Sequence, residues 1–324
     1  MNSTKHFSVV IIGAGPAGVG AALKLYKSGI KSIAIIERND KIGGIPSFYK
    51  GKKGGVRTFM RWSRGGYPVF GQDYAAWLEK QILKTDVEVK LESQVLEIDA
   101  KGKMLTFVNS KEGKVIISAD AIIMACGSRE ETPAERKWIA GARPVKVFFT
   151  KQILNLVDRN NLLPMKKPLI IGSDIIAYAA AAKLKAAGAS DPIIVDNRTS
   201  PKAPFYERLY FRFWGNPQYR GFDVKSLEIT GAKSATGVNL NGTHIDCDGI
   251  VICGELIPNS ELALIGNLKV NIPSRIPVIN KDYQLSESGW FAAGNILGGF
   301  HGAEWCYYDG KKVVDYVLKY ISKS

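Results

Sequence analysis

The 324-residue chain carries 44 Lys and Arg against 30 Asp and Glu, a net charge of +14, with 46% hydrophobic residues. That is room for two domains of ordinary size with a globular composition, and no run approaches the 18 consecutive apolar residues of a membrane span. Cys126, Cys247, Cys253 and Cys306 are scattered and form no CxxC, CxxxxC or Cys/His cluster, which argues against a metal centre and a local redox disulfide.

The opening MNSTKHFSVV lacks the cationic, apolar and small-residue order of a signal peptide, so a cytoplasmic location is expected. Residues 8–12 read as a buried strand, followed by Gly13-Ala-Gly15-Pro16-Ala17-Gly18 and a helical pattern through Lys27. A second strand, Ile33 to Ile36, ends in Glu37 and Arg38. This strand–turn–helix–strand setting is what gives a GxGxxG physical meaning. Gly13 permits the tight turn, Gly15 lets the backbone approach a pyrophosphate, and Gly18 lets helix pack on strand. The diphosphate rests on N–H groups at the helix start, and Glu37 is placed for the adenosine ribose.

Between Lys41 and Gln72 there is no acidic residue, while Lys41, Lys50, Lys52, Lys53, Arg57, Arg61 and Arg64 are basic. The three arginines are spaced for one side of a short helix beginning near Gly55, suited to a carboxylate, a diphosphate, an acidic partner or simply solvent. No zinc-finger, RNP or helix-turn-helix signature accompanies this charge, so nucleic acid is not the expected partner. Val87–Val89, Val95–Ile98, Met104–Val108 and Val115–Ile117 read as strands of a small antiparallel unit, and 120–124 as a buried strand ending in Ala125-Cys126-Gly127.

The first pattern then repeats 159 residues downstream. Leu169–Ile171 is the strand, Gly172 matches Gly13, Ala177 matches Gly18, Ala181 matches Ala22 and Gly188 matches Gly29. The next strand ends in Asp196, and Ile250–Cys253 with Gly254 repeats the strand-then-glycine form of 122–127. Such register marks a duplicated supersecondary unit. Asp174 breaks it, standing where the first copy has Gly15. Its bulk and charge oppose a pyrophosphate, and the same side chain is well suited to cap its own helix. Further on, Phe205–Trp214 interleaves aromatics with Arg208 and Arg212, a composition that suits an interface or a core. Ser288–Asn295 reads as a strand into a Gly-Asn turn, and Gly302 onward as a closing helix.

The pattern resembles the two-dinucleotide-domain flavoproteins, the family of thioredoxin, glutathione and ferredoxin reductases. The resemblance implies an α/β fold of tandem Rossmann-like three-layer domains: an FAD-binding domain over 1–145 and 271–324, interrupted by an NAD(P)-binding-like domain over 146–270 whose NAD(P) binding Asp174 puts in doubt. It implies FAD held by Gly13, Gly15, Pro16, Ala17, Gly18, Glu37, Arg38, Gly43, Gly44, Ile45, Ala125, Gly127, Gly294, Asn295, Gly302 and Ala303. Asn295 replaces the family's usual Asp. The disulfide reductases of the family place paired cysteines beside the flavin, and none stands here; separated thiols such as Cys126 and Cys306 leave a sulfide–quinone type of chemistry open. The runs Ile42-Gly-Gly-Ile-Pro46, Gly71-Gln-Asp-Tyr74 and Gly294–His301 resemble the FAD-carrying subunits of dye-linked proline and hydroxyproline dehydrogenases, opine oxidases and hydrogen cyanide synthase. That branch implies amine or amino-acid oxidation with a second subunit or another acceptor taking the electrons, and any iron–sulfur centre on another chain. The alternatives are a self-contained NAD(P)H-dependent reductase and a non-catalytic FAD-binding subunit. His301 and Glu304, at the start of the closing helix, are the candidate catalytic side chains. A homo-oligomer is a further possibility.

Overall fold

A computed structural model describes residues 4–49, 59–61, 67–205, 208–209, 218–221, 227–240 and 242–323. The chain divides into two compact units, one of residues 1–47, 58–129 and 257–324 and the other of residues 48–57 and 130–256.

The first unit opens with β1 (Lys5–Ile12), whose four final residues are buried and apolar, and α1 (Pro16–Lys27), entered through Gly15 and Pro16. β2 (Ile33–Ile36) lies parallel to β1, and β3 (Phe59–Arg61) pairs antiparallel with β4 (Tyr67–Val69). The helix expected near Gly55 is therefore corrected at Arg61, which stands in a strand: Phe59–Arg61 pairs with Tyr67–Val69, and Phe59, Tyr67 and Val69 are residue types that favour strands. Arg57 and Arg64 lie outside the described residues.

α2 (Gly71–Ile82), which the sequence pattern did not announce, carries the chain across the sheet to β5 (Glu88–Lys90). β5 consequently runs parallel to β2, not in the expected antiparallel unit, because a helical crossover returns the next strand in the same direction. β6 (Gln94–Asp99), β7 (Met104–Asn109) and β8 (Gly113–Met124) form an antiparallel meander. The two runs 115–117 and 120–124 are one twelve-residue strand, whose first half pairs with β7 and whose length from Ile117 to Met124 runs beside β1. The sheet order is β5-β2-β1-β8-β7-β6.

In the second unit, β9 (Ile139–Gly141) precedes β10 (Val147–Phe149), α3 (Thr150–Asn160), β11 (Pro168–Ile171), α4 (Ile175–Ala186) and β12 (Ile193–Asp196). β13 (Gln218–Gly221), β14 (Leu227–Thr230), β15 (Gly237–Leu240), β16 (Thr243–Asp246) and β17 (Gly249–Ile252) complete it. The order β10-β17-β11-β12-β13 is all parallel, with β9-β14-β15-β16 as a second sheet. Arg208 lies against the exposed Phe205 ring; most of the aromatic run expected over 205–214 falls outside the described residues.

The chain then returns to the first unit. β18 (Trp290–Ala292) joins the far half of β8 in parallel, and α5 (Ala303–Ile321) closes the fold. Its buried positions, Cys306, Tyr307, Gly310, Val313, Val314 and Val317, recur at helical spacing and face α1. The approach is close: a Cβ on Gly310 would stand 1.9 Å from the Ala17 carbonyl oxygen, and one on Gly20 would stand 2.2 Å from that of Tyr307. Backbone thus meets backbone where the two helices cross.

Candidate functional site

The site is built at the carboxyl ends of β1, β2 and β8. Gly13, at φ 109°, donates its N–H to Ile36 O at 2.9 Å, and a Cβ there would lie 2.5 Å from Ala125 O. Gly18 packs so closely on the turn that a Cβ would meet Gly13 O at 1.9 Å. Gly15 differs. Its nearest neighbour would be Gly44 Cα at 3.9 Å, ordinary contact, so the chain's own packing does not demand glycine there. Gly43 and Gly44 have positive φ, and the loop is tied down by Gly43 N donating to Ala14 O at 2.9 Å. A Cβ on Gly44 would face Gly15 Cα at 2.9 Å. Pro16 and Ala17 form the first turn of α1, which has no side-chain cap and no acidic residue, so its leading N–H groups remain available to an anion.

Glu37 is buried, and its carboxylate organises the turn. Oε2 accepts from Ala14 N at 2.8 Å, and Oε1 accepts from the main-chain N (2.8 Å) and side-chain amide (2.5 Å) of Asn39. Oε2, with a single donor, keeps a lone pair for a further one, whereas Oε1 is filled by Asn39. Arg38 is exposed, with its charge acting on Cys126, and Ile45 is half exposed at the head of a short 3-10 turn. Ala125 N donates to Ile12 O at 2.9 Å. Cys126 O accepts from the Asn259 amide at 2.8 Å, and Gly127 O from Asn259 N at 2.9 Å. Asn259 thus clamps this turn from the far side of an intervening unit of sequence.

The return segment brings Gly294, at φ 76°, against Ala17, where a Cβ would stand 2.8 Å from the Ala17 methyl. Gly294 N donates to Asp309 Oδ2 at 2.6 Å, and Tyr283 OH donates to Asp309 Oδ1 at 3.1 Å. A buried carboxylate inside the closing helix therefore fixes the Gly294 turn. Sequence reasoning missed both Asp309 and Asn259; the one available signal was an acidic residue on the apolar face of α5. The Asn295 amide turns to its own loop, with Oδ1 accepting from His301 N at 2.8 Å and Nδ2 donating to His301 O at 3.0 Å.

Gly302 is the N-cap of α5, and Ala303 opens the helix. His301 is exposed, its ring 3.8 Å from that of Trp305. Glu304 is buried and faces Tyr74 and Tyr307. Burial first, and then the Glu304 carboxylate, holds the Tyr74 phenol well above its ordinary range. His301 and Glu304 thus share a turn but look into different surroundings. Burial pushes the Cys126 and Cys306 thiols each up to about 12, which leaves them inert at neutral pH.

The second unit repeats this turn, with one reversal. Gly172 (φ 112°) donates to Val195 O at 2.8 Å, and Cys253 N donates to Ile171 O at 2.8 Å, as Gly13 and Ala125 do in the first. Asp174 has the backbone of Gly15, φ −79° against −73°, but its Oδ1 accepts from Ile176 N at 3.0 Å and Ala177 N at 3.2 Å. Burial raises its carboxyl from the ordinary value. Around it, Arg136 donates to the carbonyls of Cys253 and Gly254, Ser173 Oγ donates to Asp196, and Lys202 N and Ala203 N donate to Ser173. Asp174, Arg136 and Ser173 thus engage the groups around this turn from within the same unit.

Residues 7–310 match the family model of the pyridine nucleotide-disulphide oxidoreductases. The chain belongs to this family. It is an FAD-dependent oxidoreductase of the pyridine nucleotide-disulphide group, with an α/β fold of tandem Rossmann-like sheets. Its sequence is 24% identical to the soluble pyridine nucleotide transhydrogenase of Vibrio atlanticus over 98% of this chain and 72% of that one. It is also 24% identical to an opine oxidase subunit of Rhizobium meliloti, over 91% of this chain and 59% of that one. The chain thus spans only part of either relative. In fold it is similar to the thioredoxin reductase of T. acidophilum, with a TM-score of 0.72, 19% identity, and 99% and 100% of the two chains covered. Among the described residues of this oxidoreductase no metal-holding cluster occurs, and no helix is long and apolar enough to cross a membrane. The Gly15–Gly44 cradle beside an uncapped helix start fits the diphosphate of FAD.

Proposed function

We propose that this flavoprotein is the FAD-carrying component of an amine or amino-acid dehydrogenase, passing electrons to an acceptor other than NAD(P). The observation that carries the reading is the Asp174 carboxylate on Ile176 N and Ala177 N, the donors a second dinucleotide would need. A resident anion on those N–H groups repels a diphosphate and competes for the same hydrogen bonds. The likeness to the opine oxidase subunit supports the choice of branch.

In this reading Gly13, Gly15, Pro16, Ala17 and Gly18 receive the diphosphate, Glu37 and Arg38 the adenosine side, and Gly43, Gly44 and Ile45 close over it. Ala125, Gly127, Gly294, Asn295, Gly302 and Ala303 hold the rest. FAD supplies the two-electron acceptor when bound. The N–H groups in the first turn of α5 stabilise negative charge placed before them. His301, on the open side, takes the proton of a substrate ammonium at a ring nitrogen. Glu304, directed at Tyr74 and Tyr307, positions this turn from beneath.

Anaerobic mixing of the flavin-loaded chain with NADH or NADPH tests the proposal. Flavin absorbance should persist over minutes; bleaching within seconds by either nucleotide would overturn it. That second outcome is what the likeness to a pyridine nucleotide transhydrogenase favours: a self-contained NAD(P)H-dependent reductase.

A further inference from the structure

The outer face of α5 carries a group of aromatics that the flavin site does not use. Trp305 and Tyr308 are 47% and 44% exposed, and Phe300, in the turn before the helix, is 39% exposed, although core packing buries most large apolar side chains of this unit. Trp305 and Tyr308, followed by Lys312, fall at three- and four-residue spacing on one side of the helix. Lysines border them: Lys311 Nζ lies 5.3 Å from the centre of the Tyr308 ring, and Lys312 Nζ 5.3 Å from that of Tyr283. From Phe300 to Lys312 the acidic residues, Glu304 and Asp309, are both buried. Further along the helix, the exposed Asp315 is paired with Lys24 at 2.5 Å.

We propose that this face is the docking surface for a partner protein presenting an acidic patch. Exposed Trp and Tyr at the centre with cationic side chains at the margin is the make-up of a protein-binding hot spot, aromatic within and charged at the rim. Charge chooses the occupant. A second copy would bring the same lysines and a net charge of +14 against this face, whereas an acidic chain is attracted and steered onto it. A lipid surface is the poorer match, because Trp305 lies against the His301 ring at 3.8 Å instead of standing out to enter a bilayer. The inference rests on the reading above, in which electrons leave to another chain, and it places that chain beside the first turn of α5.

The test is purification of the holoprotein from its native source at low ionic strength, beside the variants Trp305→Ser/Tyr308→Ser and Lys311→Glu/Lys312→Glu. The exposed Leu83→Ser serves as control. The wild type and the control should elute with an acidic chain. The aromatic pair should weaken that association at least about 30-fold, as loss of a hot spot does, and the charge reversal should weaken it most at low salt. All variants should keep wild-type flavin absorbance per chain. A yellow protein that elutes alone, or variants that retain the partner fully, would overturn the docking surface and leave the flavin reading intact. Binding of the wild type to phosphatidylserine vesicles that is lost in the aromatic variant would assign the face to lipid and equally overturn it. Colourless wild-type protein would sink the flavin reading itself.

Discussion

Replacing Asp174 by Gly asks directly whether one carboxylate shuts the second nucleotide crevice. Its cost to the fold should be small. Glycine is itself an acceptable N-cap, a few tenths of a kcal/mol worse than Asp, and the substitution also removes a carboxyl that burial holds above its ordinary value. The gain for an incoming diphosphate is larger. Oδ1 sits 3.0 and 3.2 Å from Ile176 N and Ala177 N, so a phosphate oxygen on those donors would take the carboxylate's place. Two unit charges about 4 Å apart at an effective dielectric near 20 repel by about 4 kcal/mol, an upper value for what the variant relieves. Nicotinamide nucleotide affinity should therefore rise between about ten- and a thousandfold. Asp174→Asn, which keeps an oxygen to cap the helix but no charge, should fall between. Titration of the flavin-loaded protein with NADH, followed by calorimetry and by anaerobic flavin absorbance, reads both variants. If Asp174→Gly folds with wild-type urea stability and binds NADH no better, the charge argument is refuted, and the Arg136, Ser173 and Lys202 contacts close the crevice by themselves.

Gly15→Asp copies the second crevice into the first. The variant should fold and lose flavin, seen as a fall in absorbance near 450 nm per chain to roughly background; retained yellow colour would show that the diphosphate does not rest on α1. Gly310→Ala forces a methyl to 1.9 Å from Ala17 O, so α1 and α5 must separate. Urea unfolding should show a loss of about 1–3 kcal/mol, and an unchanged midpoint would mean the helices cross less closely. Glu130 in the second unit is buried, and burial raises its carboxyl to about 7 from 4.5. The folded state thus holds the proton more tightly, and this contribution to stability is present below pH 4.5 and lost as pH rises through 7. Glu130→Gln, which does not titrate, should gain on the wild type by up to about 3 kcal/mol between pH 4.5 and pH 8, and a flat difference in urea unfolding would contradict the burial argument.

The local chemistry of the turns was legible in the sequence. Gly13 and Gly172 are demanded by positive φ and by a carbonyl at contact distance, constraints that act within one strand–turn–helix unit and so leave a readable spacing. The duplication was legible for the same reason: α1 and α4 begin and end 159 residues apart, and the hydrogen bonds Gly13 to Ile36 and Gly172 to Val195 recur at that offset. Asp174 was readable as a cap because capping involves the next three residues only.

Tertiary structure decided what depends on partners distant in the chain. Asp309 reaches Gly294 and Tyr283, Asn259 reaches Cys126 and Gly127, and Glu304 faces Tyr74; nothing in the spacing of these residues announces the meeting. The arginine spacing at 57, 61 and 64 suggested a helix, yet Phe59–Arg61 gains more from pairing with Tyr67–Val69 than a short isolated helix gains from its own few bonds. Backbone geometry is a local property and is written locally, whereas which side chains converge on a turn is set by how sheets and helices stack, and that is known only once the chain has folded.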